Sequence, residues 1–416
     1  MALSDIYTPK QIEVLKSTRR EDWFMMFLHG AKRSGKTIIN NDLFMMELRR
    51  VRQQADRIGI REPMYILAGV SSSTIQKNIL QELYNKYHWQ PKFDKHNNFT
   101  LMGVKVVQAY TGTIAGLKAI RGMTAFGAYV NEGSLANREV FAEIVSRCSG
   151  EGARIITDTN PDNPQHWMKI NYIDTDNPNI VTHQFQLDDN TFIDERYRLN
   201  IKQATPSGMF YDRDILGLWV SGEGVVYPDF DAKKHYITRA DVPDDVYYFV
   251  GVDWGYEHYG SIVVMAEDKD GKVYLIEEHS GQHKEIDYWV NIGKGITRRY
   301  GVRIPFYCDS ARPEYVARFK REGMYAQNAS KSVLSGIEQV ALLVKNDMFG
   351  VVEQNVMRFK DEIYQYIWDK SKDAPVKQYD DVMDAIRYAV YSNHLIARAQ
   401  TGTTEQKIRM AQRLLR

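Results

Sequence analysis

The sequence is poor in cysteine, and it has neither a long apolar run nor a large excess of charge of one sign. Only Cys148 and Cys308 occur in 416 residues, which disfavours a disulfide framework or a cysteine-based zinc site and is typical of a reducing cytoplasm. No apolar stretch reaches the ~18 residues of a membrane span, and residues 1–5 lack the pattern of a signal peptide. With 54 basic and 53 acidic residues the net charge is +1, so charge alone does not indicate a nucleic-acid-binding protein.

Length and composition allow more than one folded domain. A chain of 416 residues, 44% of them hydrophobic, predicts about two to three domains with full cores. Apolar strands alternate with helical patterns in the first half, which predicts a parallel sheet with helices on both faces. We therefore expect an α/β protein with a first domain over residues 1–222, a linker over 223–245, a second domain over 246–396 and a basic tail over 397–416.

The clearest motif is a phosphate-binding loop. Residues 30–37 read G-x-x-x-x-G-K-T, preceded by an apolar run of strand length and followed by a helical pattern. Gly30 and Gly35 permit the tight turn, Lys36 can reach the β and γ phosphates, and the Thr37 hydroxyl can ligate Mg²⁺. The remaining predicted cofactor-binding positions of the loop are Ala31, Lys32, Arg33 and Ser34, of which the two cations are unusual. The motif predicts an ATP-binding domain.

Two later strands are expected to end beside this loop. Residues 125–130 form an apolar run that ends on Asn131 and Glu132, the position at which a carboxylate orients or deprotonates the attacking water. The aspartate that usually precedes this glutamate is replaced by Asn131, a weaker ligand for Mg²⁺, so either a water bridges to the ion or Thr37 carries it. Thr159 and Asn160, after the next strand, can sense the γ-phosphate, although Asn-Pro by itself is more often the start of a turn. Upstream, Gln11 offers the donor and acceptor needed to read adenine, or is an ordinary surface glutamine.

The second half carries acidic residues on separate elements. Asp253 ends a first strand, Asp309 ends a fourth strand, and Asp381 and Asp384 share one face of a late helix. This β-β-β-α-β-α order predicts a ribonuclease H-like nuclease domain, in which two Mg²⁺ or Mn²⁺ ions would hold the carboxylates together and drive phosphodiester cleavage. Taken singly, each aspartate is also explained as a strand-end or helix-end cap.

Together these motifs resemble the large terminase subunit of tailed bacteriophages, over about residues 5 to 395. The resemblance implies that Lys36 and Thr37 hold ATP and Mg²⁺, that Glu132 is the catalytic carboxylate, and that Thr159 and Asn160 couple hydrolysis to motion. It implies that Arg121 reaches the ATP of a neighbouring subunit. The implied metal ligands are Asp253, Asp309 and Asp384, with Asp381 as a competing or additional ligand, and Lys331 is implied to contact the DNA backbone.

The resemblance also implies partners and a setting. We expect double-stranded DNA, a portal protein and a small terminase subunit as partners, a homo-oligomeric ring during packaging, no membrane association, and the cytoplasm of an infected bacterium as the location. Two other functions stay open at this point: a helicase-nuclease of DNA repair and a nucleotide-gated DNA-binding scaffold.

Overall fold

A computed structural model describes residues 3–20, 22–369 and 371–401. The chain divides into two compact units. The first contains residues up to Thr205 together with Phe210–Val220, and the second contains Pro206–Met209 and the chain from Ser221 onward.

The first unit is built on a seven-stranded sheet in the order β3-β4-β2-β5-β6-β1-β7. All its pairings are parallel except that of the edge strand β3 with β4. The β1 and β5 strands are buried along their whole length, as expected of a sheet covered by helices on both faces. The strands are β1 (Met25–Gly30), β2 (Met64–Gly69), β3 (Phe99–Leu101), β4 (Val104–Tyr110), β5 (Gly127–Val130), β6 (Arg154–Thr159) and β7 (Ile180–Phe185).

Helices connect these strands, and the longest follows the phosphate-binding loop directly. The first helix starts with a capping box, in which Thr8 and Gln11 exchange side-chain and backbone hydrogen bonds. The helices of this unit are α1 (Pro9–Ser17), α2 (Lys36–Arg57), α3 (Ser72–Ile75), α4 (Gln81–Tyr87), α5 (Leu117–Ile120), α6 (Arg138–Arg147) and α7 (Glu195–Ala204), and α8 (Met209–Asp214) spans the boundary between the units.

The second unit has its own seven-stranded sheet in the order β13-β12-β9-β10-β11-β14-β8. The meander β9–β10–β11 is antiparallel, and the flanking pairs, β12 with β9 and β11 with β14, are parallel. The antiparallel meander confirms the three-stranded meander that the sequence predicts for the nuclease-like half. The strands are β8 (Tyr236–Ile237), β9 (Val246–Asp253), β10 (Gly260–Asp268), β11 (Val273–Gly281), β12 (Pro305–Cys308), β13 (Tyr325–Asn328) and β14 (Phe349–Val352).

The last helix of the second unit packs closely on the central strands. Gly251 in β9 makes this possible, because a Cβ atom there would lie 2.0 Å from the carbonyl oxygen of Ala385. The close approach places the start of this helix beside the ends of β9 and β12. The helices are α9 (Ala232–His235), α10 (Ile286–Tyr300), α11 (Pro313–Arg321), α12 (Val333–Lys345), α13 (Arg358–Glu362) and α14 (Asp381–Thr401).

The segment expected to be a linker, residues 223–245, contains structure of its own. It includes α9 and β8, and β8 pairs with β14 at the edge of the second sheet. This segment is therefore part of the second unit, and sequence reasoning missed it because a two-residue strand has no detectable periodicity. The basic tail expected over residues 397–416 lies outside the described residues from position 402 onward. No helix among the described residues is both long and apolar enough to cross a membrane.

Candidate nucleotide site and acidic site

The phosphate-binding loop has the strand–loop–helix context that the motif requires. It leaves β1 at Gly30 and enters α2 at Lys36, with Arg33 at φ 61° and Gly35 at φ 91°. A Cβ atom at Gly30 would lie 2.0 Å from the carbonyl oxygen of Phe185, so only glycine fits there. The start of a 22-residue helix thus faces the loop, which favours an anion at this position.

Lys36 is buried and hydrogen-bonded inside the loop. Its Nζ donates to the carbonyl oxygens of Gly30 (2.9 Å) and Ala31 (2.7 Å) and to Oδ1 of Asn160 (3.1 Å). Burial lowers the pKa of this lysine to about 8, an effect opposed by the negative charge of Asp158. A desolvated ammonium in this position gains more from a phosphate than it would in water.

Several side chains hold the loop from outside. Gln11 accepts from the backbone N–H of Thr8 and donates to the carbonyl oxygen of Gly35 at 3.0 Å. Each end of its amide therefore makes one contact with the protein, and the expected contact with adenine stays a prediction. The loop cation Lys32 forms an ion pair with Asp214 at 2.7 Å, while the backbone carbonyl of Arg33 accepts a hydrogen bond from Asn190. Inside the loop, the Ser34 hydroxyl donates to the carbonyl oxygen of Ala31 at 2.8 Å.

The end of β5 brings Asn131 and Glu132 to the same edge of the sheet. Glu132 adopts the left-handed conformation at φ 54°, an unusual backbone for a non-glycine residue that is common at functional sites. Burial and the charge of Asp158 raise its pKa. Both ends of the Asn131 amide are occupied, since its Nδ2 donates to Asp158 at 2.7 Å and its Oδ1 accepts from Asn78 at 3.0 Å.

Sequence reasoning missed Asp158, the buried carboxylate at the centre of this site. It lies in β6, the strand between β1 and β5, and is 1% exposed. Its oxygens accept hydrogen bonds from the Tyr129 hydroxyl, Asn131 Nδ2 and the Glu132 backbone N–H. Burial raises its pKa, while these three donors and the charge of Lys36 oppose that effect. The available signal was an acidic residue near the end of a strand whose preceding residues, after Arg154, are apolar or neutral.

Thr159 and Asn160, which are expected to couple hydrolysis to motion, contact both the phosphate-binding loop and the segment that follows β5. Asn160 accepts from Lys36, and the Thr159 hydroxyl accepts from the backbone N–H of Ser134 at 2.9 Å, two residues beyond Glu132. Thr37 is half-buried in the first turn of α2. Arg121 is exposed directly after α5, and no side-chain contact of Arg121 to the loop occurs among the described residues.

In the second unit, the predicted acidic residues lie around one cavity. Asp253 ends β9 and Asp309 follows the adjacent parallel strand β12, so their backbones are neighbours; the Asp309 N–H donates to the carbonyl oxygen of Val252 at 2.9 Å. Asp381 and Asp384 project from the first turn of α14. All four line a cavity of about 430 Å³, together with Asp380, Lys331, Lys377, Tyr388 and other residues.

The negative charges of this cluster strongly affect one another. The pKa of Asp253 is raised well above its usual value by burial and then by the charges of Asp384, Asp309 and Asp381, in decreasing order. Burial and the charge of Asp384 also raise the pKa of Asp380. Carboxylates so placed favour a bound cation, because they cannot all remain ionised without one.

Basic side chains supply positive charge to the cluster. Lys331 contacts Asp309 at 2.6 Å, Lys377 contacts Asp384 at 3.2 Å, and buried Arg387 contacts Asp384 at 3.0 Å. A fourth cation, Arg358, contacts Asp381 at 2.7 Å. Lys331, expected to contact DNA, thus pairs with a carboxylate of the cluster.

The donor set suits a hard divalent cation, since it consists of carboxylate oxygens, the ligands that Mg²⁺ and Mn²⁺ prefer. Its present arrangement is that of paired charges: among the described residues, no three acidic, histidine or cysteine side chains are placed to hold a metal ion. Metal binding would therefore exchange the lysine contacts for metal contacts. A buried carboxylate, Glu362, holds the start of the helix that carries Asp381 and Asp384, because it accepts from the backbone N–H groups of Val382 and Met383.

Comparison with solved structures finds the same fold in the large terminase of a thermophilic bacteriophage. One structure of that protein is 24% identical, covers 94% of this chain and 99% of its own, and gives a TM-score of 0.72. Its complex with ADP is 25% identical, with coverages of 94% and 100% and a TM-score of 0.70. Its complex with ATP-γ-S is also 25% identical, with coverages of 93% and 98% and a TM-score of 0.68.

These matches cover both units of the chain. No model of a protein family matches the sequence, and no curated protein matches it. The chain therefore has the two-part α/β fold of a bacteriophage large terminase.

Proposed function

We propose that the protein is an ATP-driven motor that moves double-stranded DNA into a viral procapsid and a metal-dependent endonuclease that cuts concatemeric DNA. The observation that carries this proposal is the buried Lys36 beside Asp158 and Glu132 at one sheet edge, in a chain whose second sheet gathers its own carboxylates. The large terminase with the same fold has been solved with ADP and with ATP-γ-S.

In the motor unit, each residue has a distinct task. The loop N–H groups and Lys36 bind the phosphates, and Lys36 exchanges its contacts with the loop carbonyls for contacts with phosphate oxygens. The Thr37 hydroxyl would hold Mg²⁺, which would neutralise charge on the phosphates. Glu132, whose pKa is raised, orients and deprotonates the attacking water.

Asn160 and Thr159 are proposed to couple ATP hydrolysis to a structural change. Lys36 contacts Asn160, and Thr159 accepts from Ser134 in the segment that carries Glu132. A change in the position of Lys36 when the γ-phosphate leaves therefore alters a contact with β6. Arg121 is exposed and is proposed to complete the site of a neighbouring subunit in a ring.

In the nuclease unit, Asp253, Asp309 and Asp384 would hold two Mg²⁺ or Mn²⁺ ions. Asp384 is the preferred third ligand over Asp381, because its charge acts more strongly on Asp253 than that of Asp381 does. The ions would stabilise the charge that develops on the phosphodiester during in-line attack by water. Lys331 is proposed to move from Asp309 to the DNA backbone when metal binds.

The proposed setting is the cytoplasm of an infected bacterium. There the protein would form a homo-oligomeric ring on the portal of the procapsid and would act together with a small terminase subunit on viral DNA. This setting follows from the proposed packaging function.

ATP hydrolysis in the presence and absence of double-stranded DNA tests the motor. We expect Lys36→Ala to abolish turnover, because the phosphates lose their buried cation. Lys202→Ala, which removes a surface lysine paired with Asp188 at 2.8 Å, is the matched control and should hydrolyse ATP normally. Normal turnover in Lys36→Ala would refute the nucleotide site.

Plasmid cleavage in Mn²⁺ tests the nuclease. We expect Asp253→Ala to abolish cleavage and to retain ATP hydrolysis, since the two carboxylate sites belong to separate units. Unaltered cleavage would refute the acidic site as the catalytic centre. Unwinding of a tailed duplex without translocation on intact duplex would favour a repair helicase-nuclease instead.

A further inference from the structure

A carboxylate and an amide occupy neighbouring positions at the centre of the nucleotide site. Asn131 follows β5, at a position where ATP-binding domains with this loop motif usually have an aspartate. Asp158 lies in the adjacent strand β6. Asn131 Nδ2 donates to Asp158 Oδ1 at 2.7 Å. The two side chains differ only in an oxygen and a nitrogen, so the negative charge lies one strand away from its usual position.

The contacts of Asp158 favour its ionised form and oppose the burial that raises its pKa. Its partners are the Tyr129 hydroxyl at 3.0 Å, the Asn131 amide at 2.7 Å and the Glu132 backbone N–H at 3.1 Å. Two of them are groups that can only donate. One oxygen receives two of these bonds and the other only one, which leaves acceptor capacity on Oδ2.

Asp158 also lies close to the parts of the site that meet the phosphates. Of the charges that act on the pKa of Lys36, that of Asp158 has the strongest effect. The hydroxyl of Tyr129 joins it to α2, because this hydroxyl lies 3.2 Å from Asn41 as well as 3.0 Å from Asp158. Asn41 is one helical turn beyond Thr37, so the two residues share a face of α2.

The charge balance of the site changes when a nucleotide binds. In the structure, Lys36 is the cation whose positive charge favours the ionised form of the buried Asp158. When the phosphates take up the charge of Lys36, the buried carboxylate requires another cation, because an unpaired buried charge is strongly unfavourable. A Mg²⁺ ion that arrives with the nucleotide would provide this charge.

We propose that Asp158 supplies the carboxylate that stabilises the Mg²⁺ of the bound nucleotide, in place of the one that Asn131 lacks. This inference rests on the proposed ATPase function. It assigns Asn131 a positioning role, in which the amide orients Asp158 and is itself held by Asn78. It leaves the role of Glu132 toward water unchanged.

The test exchanges the two side chains. We compare Asp158→Asn, which removes the charge with little change of shape, with the double variant Asn131→Asp/Asp158→Asn, which returns a carboxylate on the other side of the same hydrogen bond. Affinity for a fluorescent ADP analogue is measured with Mg²⁺ and with EDTA. The control is Asp42→Asn, which removes another buried carboxylate of this unit, one that is paired with Lys86 and Tyr87.

We expect Mg²⁺ to tighten analogue binding to the wild-type protein and to the Asp42→Asn control. In Asp158→Asn this tightening should fall by about tenfold or more, while affinity in EDTA changes little. The double variant should regain most of the tightening by Mg²⁺. Electron paramagnetic resonance of Mn²⁺ in the presence of ADP should rank the variants in the same order of metal affinity, and this measurement does not depend on turnover.

Two results would overturn the inference: an unchanged effect of Mg²⁺ in Asp158→Asn, or an equal loss of affinity with Mg²⁺ and with EDTA. If Asp158→Asn does not fold, the double variant serves as the test, because it retains one carboxylate. It must then bind the analogue more tightly with Mg²⁺ than with EDTA. A wild-type protein that binds no nucleotide would refute the ATPase proposal itself, which is a different outcome.

Discussion

Lysines in the acidic cluster occupy the carboxylates that a metal ion would need. Lys331 lies 2.6 Å from Asp309, and Lys377 lies 3.2 Å from Asp384. Because a metal ion must displace these ammonium groups, we predict that Lys331→Ala and Lys377→Ala each bind Mn²⁺ more tightly than the wild-type protein. The same substitutions should weaken DNA binding, since each removes a cation that can contact phosphate.

The size of the gain follows from the exposure of these lysines. The Lys331 side chain is 45% exposed and that of Lys377 is 74% exposed. Ion pairs of this kind contribute about 0–1 kcal/mol each, which corresponds to a gain of up to about fivefold in Mn²⁺ affinity per lysine and about thirtyfold for both. Salt screens the lysine contacts, so the difference should shrink as ionic strength rises.

Titration of the intact protein with Mn²⁺, followed by electron paramagnetic resonance at low ionic strength, measures this effect. Lys234→Ala is the matched control, because Lys234 is 60% exposed and lies 3.5 Å from Asp347, away from the cluster. The reasoning fails if neither cluster variant gains Mn²⁺ affinity. It also fails if the control gains as much, because the effect would then come from net charge alone.

Three further predictions concern single residues of the two units. Plasmid cleavage in Mn²⁺ should fall further in Asp384→Ala than in Asp381→Ala, because Asp384 acts more strongly on Asp253; an equal loss would make both residues ligands. Burial lowers the pKa of His29 to about 4, below its value in the unfolded chain. The free energy of unfolding of the wild-type protein should therefore fall by about 3 kcal/mol as pH falls from 6.5 to 4. In urea unfolding, the His29→Gln variant should lack most of this decrease. Gly217→Ala should lower Tm and nucleotide affinity, because φ is 72° at this residue and the added Cβ would lie 2.2 Å from a β7 carbonyl oxygen. The control is Gly59→Ala, where φ is 74° and no atom lies within 4 Å of the added Cβ. This control should retain nucleotide affinity.

Local sequence patterns predicted the elements that carry the two sites. The loop motif lies between β1 and α2 as expected, and the acidic residues lie at the end of β9, after β12 and at the start of α14. These features depend on glycines, apolar runs and strand ends, which are properties of neighbouring residues. The fold could be predicted from them together with the resemblance to large terminases.

Contacts between distant segments could not be predicted in this way. Asp158 becomes a central residue only because β6 lies between β1 and β5, and strand order is set by packing of the whole sheet. Gln11 contacts Gly35 across 24 residues, and Arg358 contacts Asp381 across 23 residues. The sequence contained two weak signals for Asp158, namely an acidic residue within an otherwise largely apolar strand and the missing aspartate at Asn131.

The two candidate sites share one electrostatic arrangement with opposite signs. In the first unit a buried cation, Lys36, contacts carbonyl oxygens where phosphates would bind. In the second unit carboxylates contact lysines where metal ions would bind. In each site, polar or charged groups of the protein thus contact charged side chains before a ligand arrives, which reduces the large cost of an unpaired buried charge. Ligand binding then exchanges partners and releases a charged side chain, so that Lys36 can alter its contact with Asn160 and Lys331 becomes available for DNA.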